Sequence, residues 1–145
     1  MKRGLTARLP TEAEWEYACR AGTTNRYGFA ETGESLGEYA WYGQRQTRSV
    51  GLKLPNSWGL YDMQGNVNEF CLDGYKENGL ITIATNPVYS VSNTKRVARG
   101  AAFIDQDPRR FRCADRHGRQ ESEPGNTYGF RVVLAPRIEL LDHHE

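Results

Sequence analysis

Residues 58–70, WGLYDMQGNVNEF, set the tightest limit on what this chain can fold into. A glycine turn centred on Gly65 lies between aromatic residues, with Trp58 and Tyr61 before it and Phe70 after it. Glycine reaches backbone conformations that other residues avoid, so a glycine held between bulky apolar neighbours marks a fixed bend in a packed chain. The segment reads as a fold-specifying turn of one compact soluble domain, and not as a catalytic motif. A length of 145 residues agrees with one domain, enough to bury about two thirds of the unfolded surface but too short for two independent cores.

Charge excludes several function classes. Nineteen basic residues against eighteen acidic ones leave a formal charge of +1, with no long basic block, so the clustered face that nucleic acid requires is missing from the sequence. No stretch approaches the roughly 20 apolar residues of a membrane span, and the start MKRGLTARLP lacks the apolar run of a signal peptide, which makes the cytoplasm the default compartment. Cys19, Cys71 and Cys113 are widely spaced and odd in number. They write neither a CxxC metal site nor a dense disulfide framework, and read first as buried apolar thiols.

Local signals place the regular elements. Thr11 followed by Glu14 predicts a capping box, Ala13, Trp15, Ala18 and Cys19 fall near helical spacing, and Gly22 supplies a left-handed stop, giving a helix over 11–21. Residues 22–56 read as a long loop pinned by Tyr27, Phe29, Tyr39, Trp41 and Tyr42. Strands are expected at 96–103 and 129–135, with Phe130, Val132 and Leu134 sharing one face of the second, and a third strand at 110–116. The domain is taken as 1–136, and the remainder, 137–145, as a polar tail.

Asp62 and Glu69 stand seven residues apart around the glycine turn, so their carboxylates and the intervening carbonyls could converge on a hard cation such as calcium. This is no EF-hand, and on spacing alone the plainer reading leads: Asp62 caps a turn and Glu69 starts a solvated helix. His117 beside Asp115 and Arg116 could do acid–base work or simply be solvated, His143 and His144 form a weak metal pair in the tail, and Asp105 with Asp107 reads as turn chemistry.

Four stretches occur together in one order: RLPTEAEWEYACRAGT from Arg8, NSWGLYDMQGNVNEF from Asn56, RVARGAAF from Arg96 and GFRVV from Gly129. In that order and spacing the chain resembles the C-terminal part of the formylglycine-generating-enzyme, or sulfatase-modifying-factor, family. The resemblance implies an α+β, loop-rich, C-type-lectin-like fold with little regular secondary structure. It implies a calcium site formed by Asp62, Gly65, Val67 and Glu69, while the second calcium site of the family is expected to be lost because Trp41 follows Tyr39-Ala40. It also implies that Cys19 and Cys113 are spatial neighbours, as a structural thiol pair or disulfide. The N-terminal portion of the family domain is not matched, so another segment or a partner chain could complete it.

The family's copper chemistry uses two cysteines after a Gly-Gly-Ser strand. Here Ala102 stands at the serine position, Asp105 at the first cysteine position, and no cysteine stands at the second. Formylglycine generation is therefore not expected, and neither copper nor iron. The reading is a non-catalytic module that presents a surface of mixed charge, Asp105, Asp107, Arg109, Arg110, Asp115, Arg116, His117 and Arg119 with Glu121 and Glu123, to a protein or small ligand, as the family's diversified binding proteins do. The alternative is an oxidoreductase of the same family, with metal-dependent oxidative sulfur chemistry completed by the missing N-terminal segment or a partner chain.

Overall fold

A computed structural model describes residues 4–77, 95–120, 122 and 125–138. Glu121, Glu123 and the tail residues from 139 on, with His143 and His144, lie outside the described residues. Helix α1 (Glu12–Arg20) forms where the capping box requires: Thr11 accepts from the Glu14 backbone N–H while the Glu14 carboxylate returns a bond to the Thr11 N–H. Trp15 and Cys19 on its inner face are buried. The helix closes one residue earlier than expected, because Ala21 itself adopts the left-handed conformation (φ 48°) and Ser57 Oγ donates to its carbonyl.

The strands form two sheets. In the larger, β2 (Asn68–Gly74) pairs antiparallel with β3 (Lys95–Arg99), which pairs antiparallel with β4 (His117–Gln120), and β5 (Tyr128–Gly129) lies parallel to β2 on the other edge. In the smaller, β1 (Leu5–Arg8) pairs antiparallel with β6 (Val133–Pro136) as a two-stranded ribbon. One turn of helix, α2 (Leu36–Tyr39), interrupts the otherwise irregular loop at 22–56.

Three strand boundaries differ from the sequence expectation. The strand expected at 96–103 ends at Arg99, because Gly100 (φ 92°) and Ala101 (φ 61°) turn left-handed. A Cβ on Gly100 would sit 2.9 Å from the Met63 carbonyl, so close packing beneath Trp15 demands glycine there. The strand expected at 110–116 is a single 3-10 turn (Pro108–Phe111) capped by Asp107, with β4 starting only at His117. The strand expected at 129–135 is split, its first residues serving the large sheet and its last the ribbon.

The core has two lobes. Trp15, Cys19, Met63, Cys71, Val97 and Cys113 pack between α1 and the large sheet, and Tyr27, Leu36, Ala40, Ala101 and Phe111 pack under the long loop. Arg99 is also inside, at 1% exposure. It bonds Glu12 Oε1 at 2.7 Å, Glu16 Oε2 at 2.6 Å and the Cys113 carbonyl, and lies over the Trp15 ring. Glu12 and Glu16 are one helical turn apart, so α1 offers a buried cation two carboxylates from one face.

Candidate functional site

The turn at 58–70 is a hub of buried amides. Asn56 Oδ1 accepts from the Trp58 and Leu60 N–H groups while Nδ2 donates to the Ala18 carbonyl at the end of α1. Gln64 donates to the Tyr27 carbonyl, Asn66 exchanges two 3.0 Å bonds with the Arg48 backbone, and Asn68 donates to the Thr127 carbonyl. Gly65 sits at φ 77° against Trp41, and its N–H bonds the Gly100 carbonyl at 2.8 Å. Loops far apart in sequence thus end on one turn, each bonded to a buried amide, although Asn68 Oδ1 is left without a partner.

At the candidate calcium positions, Asp62 Oδ2 accepts from the Gly51 N–H, while Asp62 Oδ1 is buried with no hydrogen-bond partner. Glu69 is 6% exposed and already engaged: Oε2 accepts from Trp15 Nε1 at 2.7 Å and Arg131 Nε at 2.6 Å, and Oε1 from Arg131 at 2.8 Å. The same guanidinium reaches the Tyr61 and Asp62 carbonyls. Residues matching the turn's cation ligands therefore present one orphaned carboxylate oxygen, while Glu69 Oε1 accepts a single bond and keeps a second lone pair. Among the described residues, no group of three His, Cys, Asp or Glu side chains comes together to hold a metal.

The charged surface proposed from sequence divides into four. Asp107 and Arg109 close on each other at the exposed 3-10 turn, and that bond draws the Asp107 carboxyl down to about 2. Asp105 closes a turn, its carboxylate accepting from the Ala102 N–H. Arg116 turns toward α1, where it grips Glu12 through both oxygens and covers the Tyr75 ring. It also lines an open cleft of about 590 Å³ with Arg20, Arg26 and Arg112; Arg20 and Arg26 are paired with Glu16 and Glu31.

The rest converge on one sheet face. Phe70, Ala98 and His117 are cross-strand partners in a single row over β2, β3 and β4, and the small Ala98 leaves room for the Tyr128 ring to reach across. Tyr128 stacks on Phe70 (centroids 5.3 Å apart), meets His117 Nε2 with its hydroxyl at 3.2 Å, and lies beneath the Arg119 guanidinium at 5.3 Å. Arg110 bridges Asp115 and His117 Nδ1. Burial, then the Arg110 charge, pushes His117 down to about 4, and burial raises Asp115 above the usual carboxylate range. Phe70 and Tyr128 were missed as partners of His117, since nothing in their spacing joins them; the cross-strand register does.

Cys19 and Cys113 lie with their Sγ atoms 3.2 Å apart, and Gln64 Nε2 donates to Cys19 Sγ. The bond from Cys19 and the nearby Arg20 lower the Cys113 thiol, while that same contact and burial raise Cys19. Cys71 is fully buried, which pushes its thiol upward.

The sequence profile of the sulfatase-modifying factor enzyme 1-like domain matches residues 3–136. The serine/threonine-protein kinase pkn1 of Chlamydia pneumoniae is 38% identical over 132 residues, covering 87% of this chain and 20% of the kinase. The formylglycine-generating enzyme of Mus musculus is 31% identical over 143 residues, covering 87% of this chain and 38% of the enzyme. Among solved structures, Treponema denticola variable protein 1 superposes with a TM-score of 0.80 at 33% identity, over 90% of this chain and 48% of that one. This likeness carries the expected α+β, loop-rich, C-type-lectin-like fold. The chain spans well under half the length of these curated relatives, and its match to the formylglycine-generating enzyme covers that protein's C-terminal portion.

Proposed function

Because the chain belongs to the sulfatase-modifying factor enzyme 1-like family, we propose that it is a non-catalytic recognition module of that family, with its ligand seat on the sheet face of Phe70, His117, Arg119 and Tyr128. The observation that supports this most is the joint geometry of those four side chains: a stacked aromatic pair flanked by a guanidinium and a neutral imidazole. Such a face suits a ligand that sets an anionic group beside a flat apolar surface, with the Arg119 charge fixing orientation and the rings supplying contact area. At the position where the resemblance puts the first redox cysteine, the Asp105 carboxylate is committed to the Ala102 N–H, so this residue serves a turn. Asp62, Glu69 and the Gly65 and Val67 carbonyls would hold one structural calcium, with Arg131 sharing Glu69; that ion would brace the hub and take no part in chemistry.

An array of immobilised acidic peptides containing tyrosine or phenylalanine tests the ligand reading. The wild-type chain should be retained by a subset of them, and His117→Ala combined with Arg119→Ala should weaken retention at least tenfold. Equal capture by both proteins, or copper or iron found in stoichiometric amount in the purified chain, would overturn it.

A further inference from the structure

The β1–β6 ribbon is built inside out. From 130 to 136 exposure alternates without a break: Phe130, Val132, Leu134 and Pro136 face solvent while Arg131, Val133 and Ala135 face the protein. Phe130, Val132 and Leu134 are 69%, 62% and 71% exposed. The register sets Leu5 opposite Pro136 and Ala7 opposite Leu134, and both β1 residues are exposed as well. The outer face is therefore wholly apolar. The inner face carries Arg8, paired with Glu14, and Arg131, paired with Glu69. A one-residue slip would exchange the faces, but the two guanidinium pairs pin the register.

A contiguous apolar face on a two-stranded ribbon is unstable as an end state, since a ribbon of this size needs a further layer and such a patch marks an interface. We propose that this face is a docking surface for the N-terminal half of the same family domain, supplied by a preceding segment or by another chain. The occupant follows from the matches: about 90% of this chain aligns with only 48% of the Treponema denticola variable protein 1 chain, so roughly half of that relative's fold has no counterpart here. The inference rests on family membership alone and does not depend on the ligand seat, which lies on the other sheet.

The probe is the segment immediately preceding the matched region in the Chlamydia pneumoniae kinase, purified separately and titrated into the chain, with an apolar-binding fluorescent dye as reporter. Binding should displace the dye, and the triple variant Phe130→Ser, Val132→Thr, Leu134→Thr should bind the segment at least tenfold more weakly while keeping the wild-type Tm in isolation. Equal affinity of variant and wild type, or no binding to either, would overturn the proposal. Sedimentation of the chain alone supplies the remaining outcome: a tight dimer abolished by the triple variant would make a second copy the occupant and would equally overturn it.

Discussion

The hub at 58–70 and the β1–β6 ribbon invert each other. In the hub, Gln64, Asn66, Asn68 and Glu69 are buried at 4–6% exposure, whereas in the ribbon Phe130, Val132 and Leu134 stand more than 60% exposed. Both arrangements break the usual distribution of polar and apolar residues, but only the hub compensates within this chain. Its amides each make hydrogen bonds inside the chain, leaving Asn68 Oδ1 and Asp62 Oδ1 as the unpaired atoms; the ribbon's apolar face has no covering layer among the described residues. The difference teaches that one region is held together by bonds within this chain, whereas the other leaves an apolar face for the partner we propose.

If the hub is held together in this way, breaking it should cost the most. Gly65 holds φ 77°, and a Cβ there would lie 2.5 Å from the Trp41 carbonyl oxygen and 2.8 Å from its nitrogen. Gly65→Ala combines backbone strain with a clash against backbone that cannot swing aside, and should lower stability by about 3 kcal/mol or more, roughly 10 °C in Tm. Thermal unfolding checks it, and an unchanged Tm would remove the hub from the fold's essential parts.

The next effect is a pH dependence centred on His117. Its folded value of about 4 lies below the ordinary 6.5, so the unfolded chain takes up the proton first as pH falls. The neutral ring therefore contributes stability that is full above about 6.5 and lost as pH drops toward 4. Allowing for its partial exposure, His117→Gln should remove about 2 kcal/mol of the stability lost between pH 7 and pH 4.5, measured by urea unfolding at the two values.

A smaller shift is expected from calcium. If Asp62 Oδ1 receives the ion, millimolar calcium should raise the wild-type Tm by a few degrees over chelator, about 1–2 kcal/mol, and Asp62→Asn should lose most of that difference. Identical melting of wild type in calcium and chelator would leave Arg131 as the cation that Glu69 requires. The smallest shift belongs to the ribbon: its triple substitution should leave the isolated chain's stability within about 0.5 kcal/mol of wild type, because exposed side chains away from packing contribute little.

Much of the fold could be read locally, because some signals act over a few residues. Thr11 and Glu14 write the start of α1 within four positions, and the glycine turn was visible as a bend. The strand boundaries failed where long-range packing overrode local pattern: Gly100 turns because Trp15 lies on it, and the segment at 129–135 is shared by two sheets. Within the candidate site, His117 and Arg119 could be picked out by residue type but not their half-buried setting, and Arg116 was not legible as a partner of Glu12, 104 residues away. Glu12 and Glu16, one turn apart on α1, were the available signal that a buried cation would be needed.

The sequence by itself determined the family, the capped helix and the central turn, since each is carried by residue identity or by spacing of a few positions. Only the tertiary structure decided which way the faces point. Alternation at 130–136 says that one set of side chains is hidden, but not which side has neighbours. The Arg8–Glu14 and Arg131–Glu69 pairs turn the charged set inward, and that choice leaves the apolar set bare.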